Sequence, residues 1–352
     1  LPDVQTAQIT CSSRSATATL AADELRHYWR GSAVNMTLDR KMPAGDGFTI
    51  KTDRRGTVVL AAPSDAGLLY GAYELLRRQQ TGQTVGSLTS YPQFDLRILN
   101  HWDNLDGSIE RGYAGRSIFW GDEALPTDAD LLEYARANAS VGINGTVLNN
   151  VNASPQMLST ANLLKVKRIA EALRPWHIKV YLSVNFASPM GLGGLKTADP
   201  LDAQVQQWWK EKTAEVYRLI PDFGGYLVKA NSEGQPGPGD YHRSHAEGAN
   251  MLADALAPYG GIVMWRSFVY GYHPGVDRVK QAVDEFQPLD GQFRPNVILQ
   301  IKNGPLDFQP REPYSPLFDQ MKQTPMMAEL QITQEYLGQS RHLVYLAPMW
   351  KE

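Results

Sequence analysis

The stretch Gly225-Tyr226-Leu227-Val228-Lys229-Ala230 runs directly into Asn231-Ser232-Glu233-Gly234. Its first part is apolar and of β type, whereas its second part is polar, as expected of a buried strand that ends in a functional loop. Six other apolar runs share this character: Phe94–Asn100, Gly142–Leu148, Ile178–Val184, Gly261–Phe268, Val297–Ile301 and Met326–Ile332. The chain therefore contains seven predicted strands of one kind.

Helical patterns separate these runs, and the clearest are Leu163–Leu173 and Val205–Leu219. Alternating strands and helices indicate a parallel sheet, and this number of units favours a (β/α)8 TIM barrel within the α/β class. The rival is a doubly wound nucleotide-binding fold, which needs a G-x-G-x-x-G turn after its first strand. No such turn follows Phe94–Asn100. Because an unclosed barrel would expose a strand edge, we expect the eighth unit to lie beyond residue 352.

Residues 1–90 predict a small two-layer α/β accessory domain, followed by the catalytic barrel over residues 91–352. Alternating residues predict strands at Ala16–Leu20 and Gly56–Ala61. Apolar periodicity predicts helices at Ala22–Tyr28 and Ala66–Arg78, the second with Ser64 and Asp65 as N-capping residues. Thr81–Thr89, which contains two glycines, is predicted to be a linker.

Composition excludes several classes of function. The formal net charge is −3 with no basic stripe, so no nucleic-acid partner is expected. No apolar run is long enough for membrane insertion. The single cysteine, Cys11, excludes an internal disulfide framework. His242 and His245 lack an H-E-x-x-H pattern, and neither a P-loop nor a G-x-S-x-G turn is present, so neither a metal nor any other cofactor is expected.

Carboxylates follow three of the predicted strands: Glu233, Asp307 and Glu335. Active sites of such barrels lie at the carboxyl ends of the strands. Glycoside hydrolysis needs one protonated carboxyl to protonate the leaving oxygen and one carboxylate to activate water. A single strand-end carboxylate could equally form a structural ion pair or a cap. Three of them, beside many asparagines, favour a site for a polyhydroxylated substrate.

Three cations end neighbouring strands: Lys229, Arg266 and Lys302. They either neutralise the carboxylates or bind a substrate that is itself an acid, since an arginine can hold a carboxylate through two hydrogen bonds. A nearby lysine lowers the pKa of Glu233, whereas a general acid needs a raised pKa. The residues alone leave that conflict open.

Several long segments resemble the α-glucuronidases of glycoside hydrolase family 67. They are Leu99–Gly107 (LNHWDNLDG), Ile109–Gly115 (IERGYAG), Val228–Pro238 (VKANSEGQPGP), Lys302–Gln309 (KNGPLDFQ) and Gln331–Gly338 (QITQEYLG). The resemblance implies hydrolysis, with inversion and without a metal, of the α-1,2 bond between (4-O-methyl-)D-glucuronic acid and the terminal xylose of xylooligosaccharides.

The resemblance also implies roles for individual residues. Glu233 resembles the general acid, and Asp307 and Glu335 resemble the pair that activates water. Lys229, Arg266 and Lys302 resemble the binders of the glucuronate carboxylate, and Trp102 and Val151 resemble the apolar patch for the 4-O-methyl group. Inversion predicts a carboxyl separation from Glu233 to the base of about 6.5–9.5 Å.

A helical C-terminal domain beyond this chain, and a homodimer formed through it, are further implications of the resemblance. The chain begins at Leu1 and not at Met, which fits either a removed signal peptide or a start inside a longer chain; a periplasmic or cell-associated location after signal removal is the favoured expectation, and a cytoplasmic one stays open. Two other functions stay open. A hexosaminidase-like glycosidase would need adjacent acidic residues at the fourth strand end and no cationic trio. A non-catalytic acidic-sugar-binding protein would need no proton donor.

Overall fold

The computed structural model describes residues 7–112, 114–121, 126–267, 275–305 and 312–332, together with residues 347 and 351. The chain forms two compact units. Unit 1 comprises Leu1–Leu99, Thr127–Thr146 and Arg168–Lys179, and unit 2 comprises Asn100–Pro126, Val147–Lys167 and Val180–Glu352. None of the described helices is long and apolar enough to cross a membrane.

The first sheet lies in unit 1 and contains five short strands. They are β1 (Ile9–Cys11), β2 (Val34–Leu38), β3 (Phe48–Thr52), β4 (Val58–Ala62) and β5 (Leu88–Ser90), in the order β1-β2-β4-β3-β5. β1, β2 and β4 run parallel, and β3 is antiparallel to β4 and β5. Alternate residues such as Met36, Ile50 and Leu60 are buried, because every second side chain of a strand points to the covered face. The predicted strand Gly56–Ala61 is confirmed as β4.

Two helices, α1 (Ala16–Tyr28) and α2 (Asp65–Gln80), pack together beside this sheet. The predicted helices Ala22–Tyr28 and Ala66–Arg78 are therefore confirmed. The predicted strand Ala16–Leu20 is wrong, because these residues form the first turns of α1. The Ser15 side chain accepts a hydrogen bond from the Ala18 backbone N–H, which caps the helix. Small and apolar residues at helical spacing then bury one face: Ala18, Ala21, Ala22 and Leu25.

β5 begins inside the predicted linker Thr81–Thr89. Its residues Leu88 and Ser90 pair with Ile50 and Phe48 of β3, so the edge of the sheet extends into the segment that the glycines indicated as flexible. Local glycine content did not reveal this pairing, because strand pairing at a sheet edge depends on a partner distant in sequence.

The second sheet has seven strands in the order β12-β11-β10-β9-β8-β7-β6. They are β6 (Ile98–Asn100), β7 (Gly145–Val147), β8 (Lys179–Ser183), β9 (Gly225–Val228), β10 (Ile262–Arg266), β11 (Val297–Lys302) and β12 (Met326–Glu329). Six of the seven predicted runs contain one of these strands, and β11 extends one residue beyond its run, Val297–Ile301. The registers of β8–β9, β9–β10, β10–β11 and β11–β12 are parallel. Strand order follows chain order without the reversal of a doubly wound sheet, so this is a curled parallel sheet like part of a barrel.

Helices connect these strands. They are α3 (Asp128–Ser140), α4 (Thr160–Leu173), α5 (Ser188–Gly191), α6 (Ala203–Leu219), α7 (His245–Leu256), α8 (Arg278–Phe286) and α9 (Leu317–Gln320). Short 3-10 turns lie at Pro155–Leu158, Arg174–Trp176, Pro238–Tyr241, Ala257–Tyr259 and Gln287–Leu289. The two helices predicted from periodicity, Leu163–Leu173 and Val205–Leu219, are confirmed as α4 and α6.

Aromatic packing between the helices and strands orients the strand residues. The ring of Trp209 on α6 lies 5.8 Å from that of Tyr226 on β9, and both side chains are fully buried. On β10, the indole Nε1 of Trp265 donates to Nδ1 of His245 on α7 at 3.1 Å. Tyr226 and Trp265 thus face the helices. Because strand residues alternate, Lys229 and Arg266 lie on the opposite face.

Gly225 allows β9 to lie close to β10. Its φ is +138°, and a Cβ atom added there would lie 1.9 Å from the carbonyl oxygen of Ile262. We expect Gly225→Ala to lower the free energy of unfolding by about 2–4 kcal/mol, because the strands must separate or the backbone must distort. Chemical denaturation measures the effect.

Gly260→Ala is the matched control. Gly260 also has a positive φ, +72°, but an added Cβ would meet no atom of the described structure within 4 Å. Its loss should be only about 1 kcal/mol, the cost of the left-handed backbone alone. Equal losses in the two variants would show that crowding at Ile262 is not the cause.

Candidate active site

Three buried cations lie at the ends of three adjacent strands. Lys229 follows β9, Arg266 ends β10 and Lys302 ends β11, and they are 3%, 2% and 5% exposed. Adjacent parallel strands place their carboxyl ends at one edge of the sheet, which explains why residues distant in sequence come together. Buried cations are costly unless anions compensate them, so the surrounding carboxylates decide the chemistry of the site.

The Lys229 ammonium forms an ion pair with Oε2 of Glu233, four residues further along the chain. It also donates to Oδ1 of Asn152 at 2.8 Å. Burial lowers the pKa of Lys229, opposed by the hydrogen bond and charge of Glu233, and the positive charge of Arg266 lowers it further. Glu233 and Asn152 therefore hold the Lys229 ammonium at the carboxyl end of β9.

A tight turn brings Glu233 back to Lys229. Asn231 and Glu233 both adopt left-handed backbone, with φ of 51° and 48°, and the Gln235 N–H donates to the Ser232 carbonyl at 2.9 Å. The Asn231 side chain accepts from the Gly239 N–H at 2.8 Å and so closes the loop that follows. Left-handed conformation is unfavourable for Glu, and such strain is typical of functional sites.

The pKa of Glu233 reflects a balance between burial and positive charge. Burial raises the pKa, but the hydrogen bond and charge of Lys229, with the charges of Arg111 and Lys302, outweigh burial and hold the pKa below its usual value. The carboxyl is 35% exposed, so it can still meet a ligand. At neutral pH Glu233 is ionised in this arrangement.

Arg111 connects Glu233 to a second carboxylate. Its Nη2 lies 3.4 Å from Oε1 of Glu233, and its Nε lies 3.3 Å from Oε1 of Glu110. The Glu110 side chain is 7% exposed, whereas Arg111 is 63% exposed. An exposed guanidinium between two carboxylates contributes little to stability, yet it adds positive charge beside Glu233.

Arg266 contacts Glu329 in the edge strand β12 and Trp102 just after the other edge strand, β6. Its Nε donates to Oε2 of Glu329 at 3.0 Å, and its Nη2 lies 3.0 Å from Oε1 of the same carboxylate. Its guanidinium carbon lies 5.7 Å from the ring centre of Trp102. Glu329 ends β12 and Trp102 follows β6, so the curl of the sheet brings its two edges to one side chain.

A network of asparagines supports the ends of β6, β7 and β8. The Asn149 side chain exchanges two hydrogen bonds with the Ser183 backbone, at 2.9 and 3.0 Å. The Asn150 amide donates to Oδ1 of Asn104 at 3.0 Å, and its own Oδ1 accepts from the Asn152 N–H at 3.0 Å. These bonds place the Asn152 side chain, which binds Lys229.

Most of the sequence-predicted site residues lie in this region. Lys229, Arg266 and Lys302 end adjacent strands, Glu233 binds Lys229, and Trp102 contacts Arg266. Val151 is 2% exposed and immediately precedes Asn152. Asp307 and Glu335 lie outside the described residues, so their placement stays a prediction.

The histidines considered as metal ligands have other contacts. His245 accepts from Trp265, and its Nε2 lies 3.7 Å from Oε2 of Glu285. His242 has a left-handed backbone at the end of a 3-10 turn. Across the described residues, no group of three or more His, Cys, Asp and Glu side chains is arranged to hold a metal.

Sequence reasoning missed Glu329, Arg111 and Asn152 as members of the site. The signal for Glu329 was present, because a lone carboxylate inside the apolar run Met326–Ile332 requires a buried partner. The register pairs Glu329 with Lys302, which places it at the same strand ends. Arg111 and Asn152 lie in loops whose spatial neighbours cannot be deduced from local pattern.

Removal of the Lys229 charge should raise the pKa of Glu233. In Lys229→Met, burial still raises that pKa, while its hydrogen bond to Lys229 and the nearest positive charge are gone. We expect the carboxyl to titrate at higher pH than in the wild type, measured by ¹³C NMR and assigned with Glu233→Gln. The stability that the ionised group contributes above its unfolded-state pKa should also be smaller.

Lys212→Met is the matched control, because Lys212 pairs with Glu215 on α6 at 2.6 Å and lowers the pKa of that carboxyl. It should raise the pKa of Glu215 and leave the Glu233 titration unchanged. A Glu233 titration in Lys229→Met at or below the wild-type pH would contradict the assigned electrostatics.

The fold of this chain is shared with solved glycosidase structures. A GH138 enzyme targeting pectin rhamnogalacturonan II aligns over 85% of this chain and 38% of its own, with a TM-score of 0.54 and 16% identity. The β-N-acetylhexosaminidase from Bacteroides fragilis NCTC 9343 aligns over 85% of this chain and 66% of its own, with a TM-score of 0.52 and 13% identity. At these identities the likeness concerns the fold alone.

Sequence comparison gives much closer relatives. The probable alpha-glucuronidase A of Aspergillus clavatus is 49% identical over 348 residues, which are 97% of this chain and 41% of the relative. The alpha-glucuronidase A of Emericella nidulans is 51% identical over 310 residues, or 84% of this chain and 37% of the relative. The alpha-glucuronidase of Hypocrea jecorina is 50% identical over 318 residues, or 87% of this chain and 37% of the relative.

The chain thus spans about two-fifths of the length of these relatives. The model of the glycosyl hydrolase family 67 middle domain matches residues 76–352. That match, together with about 50% identity to alpha-glucuronidases over most of the chain, shows that the chain belongs to glycosyl hydrolase family 67.

Proposed function

We propose that the protein containing this chain is an inverting α-glucuronidase. It would hydrolyse the α-1,2 bond between (4-O-methyl-)D-glucuronic acid and the terminal xylose of glucuronic-acid-substituted xylooligosaccharides. Family membership supports the reaction, and one observation supports the acidic substrate. Lys229, Arg266 and Lys302 present three buried positive charges at adjacent strand ends, beside the half-exposed carboxyl of Glu233.

The cations would bind the carboxylate of the glucuronic acid. An anionic group entering this site meets Lys229, Arg266 and Lys302, with Arg111 near the entrance, so that much of its lost hydration is replaced by fixed charges. A neutral sugar of the same shape would gain none of this attraction. Charge recognition therefore explains why a sugar hydrolase would bury so many cations at its strand ends.

Glu233 would act as the general acid. Lys229 keeps this group ionised, whereas a general acid must be protonated. A bound glucuronate would relieve the conflict, because its carboxylate competes for the Lys229 ammonium and adds a negative charge near Glu233. Both effects raise the pKa of Glu233. Substrate binding would thus prepare the acid for proton transfer.

Asp307 and Glu335 would activate the water that attacks the anomeric carbon. For inversion, the base should lie about 6.5–9.5 Å from the carboxyl of Glu233, which leaves room for that water. Trp102 and Val151 would form an apolar patch against the 4-O-methyl group. The contact between Trp102 and Arg266 supports this, because it places the indole beside the carboxylate-binding cations.

The architecture that we propose for the whole catalytic unit is an eight-stranded barrel over residues 91–352 and beyond, preceded by an accessory domain over residues 1–90. The curled seven-stranded sheet supports it, since Arg266 contacts groups from both β12 and the segment after β6. A helical C-terminal domain, and a homodimer formed through it, would complete the assembly.

The first test is hydrolysis of a xylotriose that carries α-1,2-linked 4-O-methylglucuronic acid. We expect release of the uronic acid, followed by chromatography, and ¹H NMR of the first product should show the β anomer. Initial formation of the α anomer would indicate a retaining mechanism. Absence of release from the purified protein would contradict the proposed activity.

The second test concerns Glu233. In Glu233→Ala we expect kcat on the xylooligosaccharide to fall by about 10²–10⁴, the usual contribution of general acid catalysis. On α-D-glucuronyl fluoride, whose leaving group needs no proton, the loss should be less than about tenfold. A non-catalytic sugar-binding protein would show no turnover to lose, and an equal loss on both substrates would exclude Glu233 as the proton donor.

A further inference from the structure

The ion pair between Arg266 and Glu329 is deeply buried. Their side chains are 2% and 7% exposed, and two nitrogen–oxygen distances of 3.0 Å join them. Arg266 belongs to β10 and Glu329 to β12, so the pair bridges across β11. An arginine remains charged at every accessible pH, so its burial here requires an anion that is always in place.

The Glu329 carboxylate occupies one edge of the Arg266 guanidinium. Glu329 faces Nε and Nη2, the side-on edge of the fork, while the Trp102 ring lies 5.7 Å from the guanidinium carbon. A guanidinium has five N–H groups in a rigid plane. Once one edge and the plane of this group are fixed, the direction of Nη1 and of the second Nη2 hydrogen is fixed as well.

We propose that Glu329 is a positioning residue that holds Arg266 so that its remaining end-on edge meets the carboxylate of the substrate. This inference rests on the proposed function, because it assigns the binding of the uronic acid to that edge. Glu329 itself does not touch the substrate in this arrangement. It acts through Arg266, and its negative charge offsets the repulsion between Arg266 and the neighbouring cations.

A purely structural role for Glu329 predicts a different behaviour. If the carboxylate only stabilised the fold, its replacement would lower the fraction of active molecules and leave KM unchanged. A positioning role instead changes how well the remaining active molecules bind an acidic sugar. Values of KM and kcat per folded molecule therefore separate the two roles. Variants that change either the charge or the length of the Glu329 side chain separate them further.

Glu329→Gln keeps the size of the side chain and removes its charge, and Glu329→Asp keeps the charge but shortens the reach. We expect both to raise KM for the glucuronosyl xylooligosaccharide, Glu329→Gln by about tenfold, with kcat within about threefold of the wild type. In an Arg266→Met background, Glu329→Gln should cause no further loss, because nothing remains to be positioned.

Asp254→Asn is the matched control. Asp254 pairs with Arg294 at 2.9 and 3.3 Å through the same two guanidinium nitrogens, but this pair is about half exposed, and its residues lie on α7 and before β11, away from the strand ends that carry the site. It should leave KM unchanged. An unchanged KM in both Glu329 variants, or equal losses from Glu329→Gln with and without Arg266, would overturn the proposal.

A spectroscopic measurement separates this proposal from the proposed function. The Nε–H signal of Arg266 in ¹⁵N NMR spectra, assigned with Arg266→Lys, should be protected in the wild type and lost or shifted in Glu329→Gln. If that signal is unchanged, Glu329 does not hold the guanidinium, whatever the activity. If it changes as expected but the wild type does not hydrolyse the oligosaccharide, the function fails and the positioning of Arg266 stands.

Discussion

Positive charge buried at the ends of three adjacent strands is the constraint on which the site depends. Lys229, Arg266 and Lys302 lose most of their hydration there, and each such loss costs several kcal/mol unless anions restore it. Glu233 and Glu329 provide that compensation for the first two. The same carboxylates that allow the cations to be buried therefore also decide which groups are charged and where they point.

The periodicity of the sequence predicted the architecture well because parallel strands that are covered on both faces are apolar throughout. Each of the seven predicted runs coincides with a strand, and strand order follows chain order. Local pattern failed where small residues are ambiguous. Ala16–Leu20 alternates like a strand, yet the Ser15 cap and buried alanines at helical spacing make it a helix. Pairing across long sequence distances, as in β5, left no local signal.

For the site, the sequence indicated residue types at strand ends but not their partners. Lys229 and Glu233 could be placed together because they are four residues apart. The pair of Arg266 with Glu329 joins residues 63 positions apart, and it appears only once the sheet curls. The hydrogen bond between Asn152 and Lys229 is equally hidden in the sequence, because it joins residues 77 positions apart.

The loop that carries Glu233 is closed by contacts of its own. The Asn231 side-chain oxygen accepts from the Gly239 N–H, and the Gln235 N–H donates to the Ser232 carbonyl, so the path of the chain is fixed by contacts besides the ion pair with Lys229. The position of the Glu233 backbone and the pKa of its carboxyl therefore depend largely on different contacts. Exchange of neighbouring charges, by natural variation or protein engineering, would therefore change the acidity of this carboxyl without rebuilding the turn that presents it.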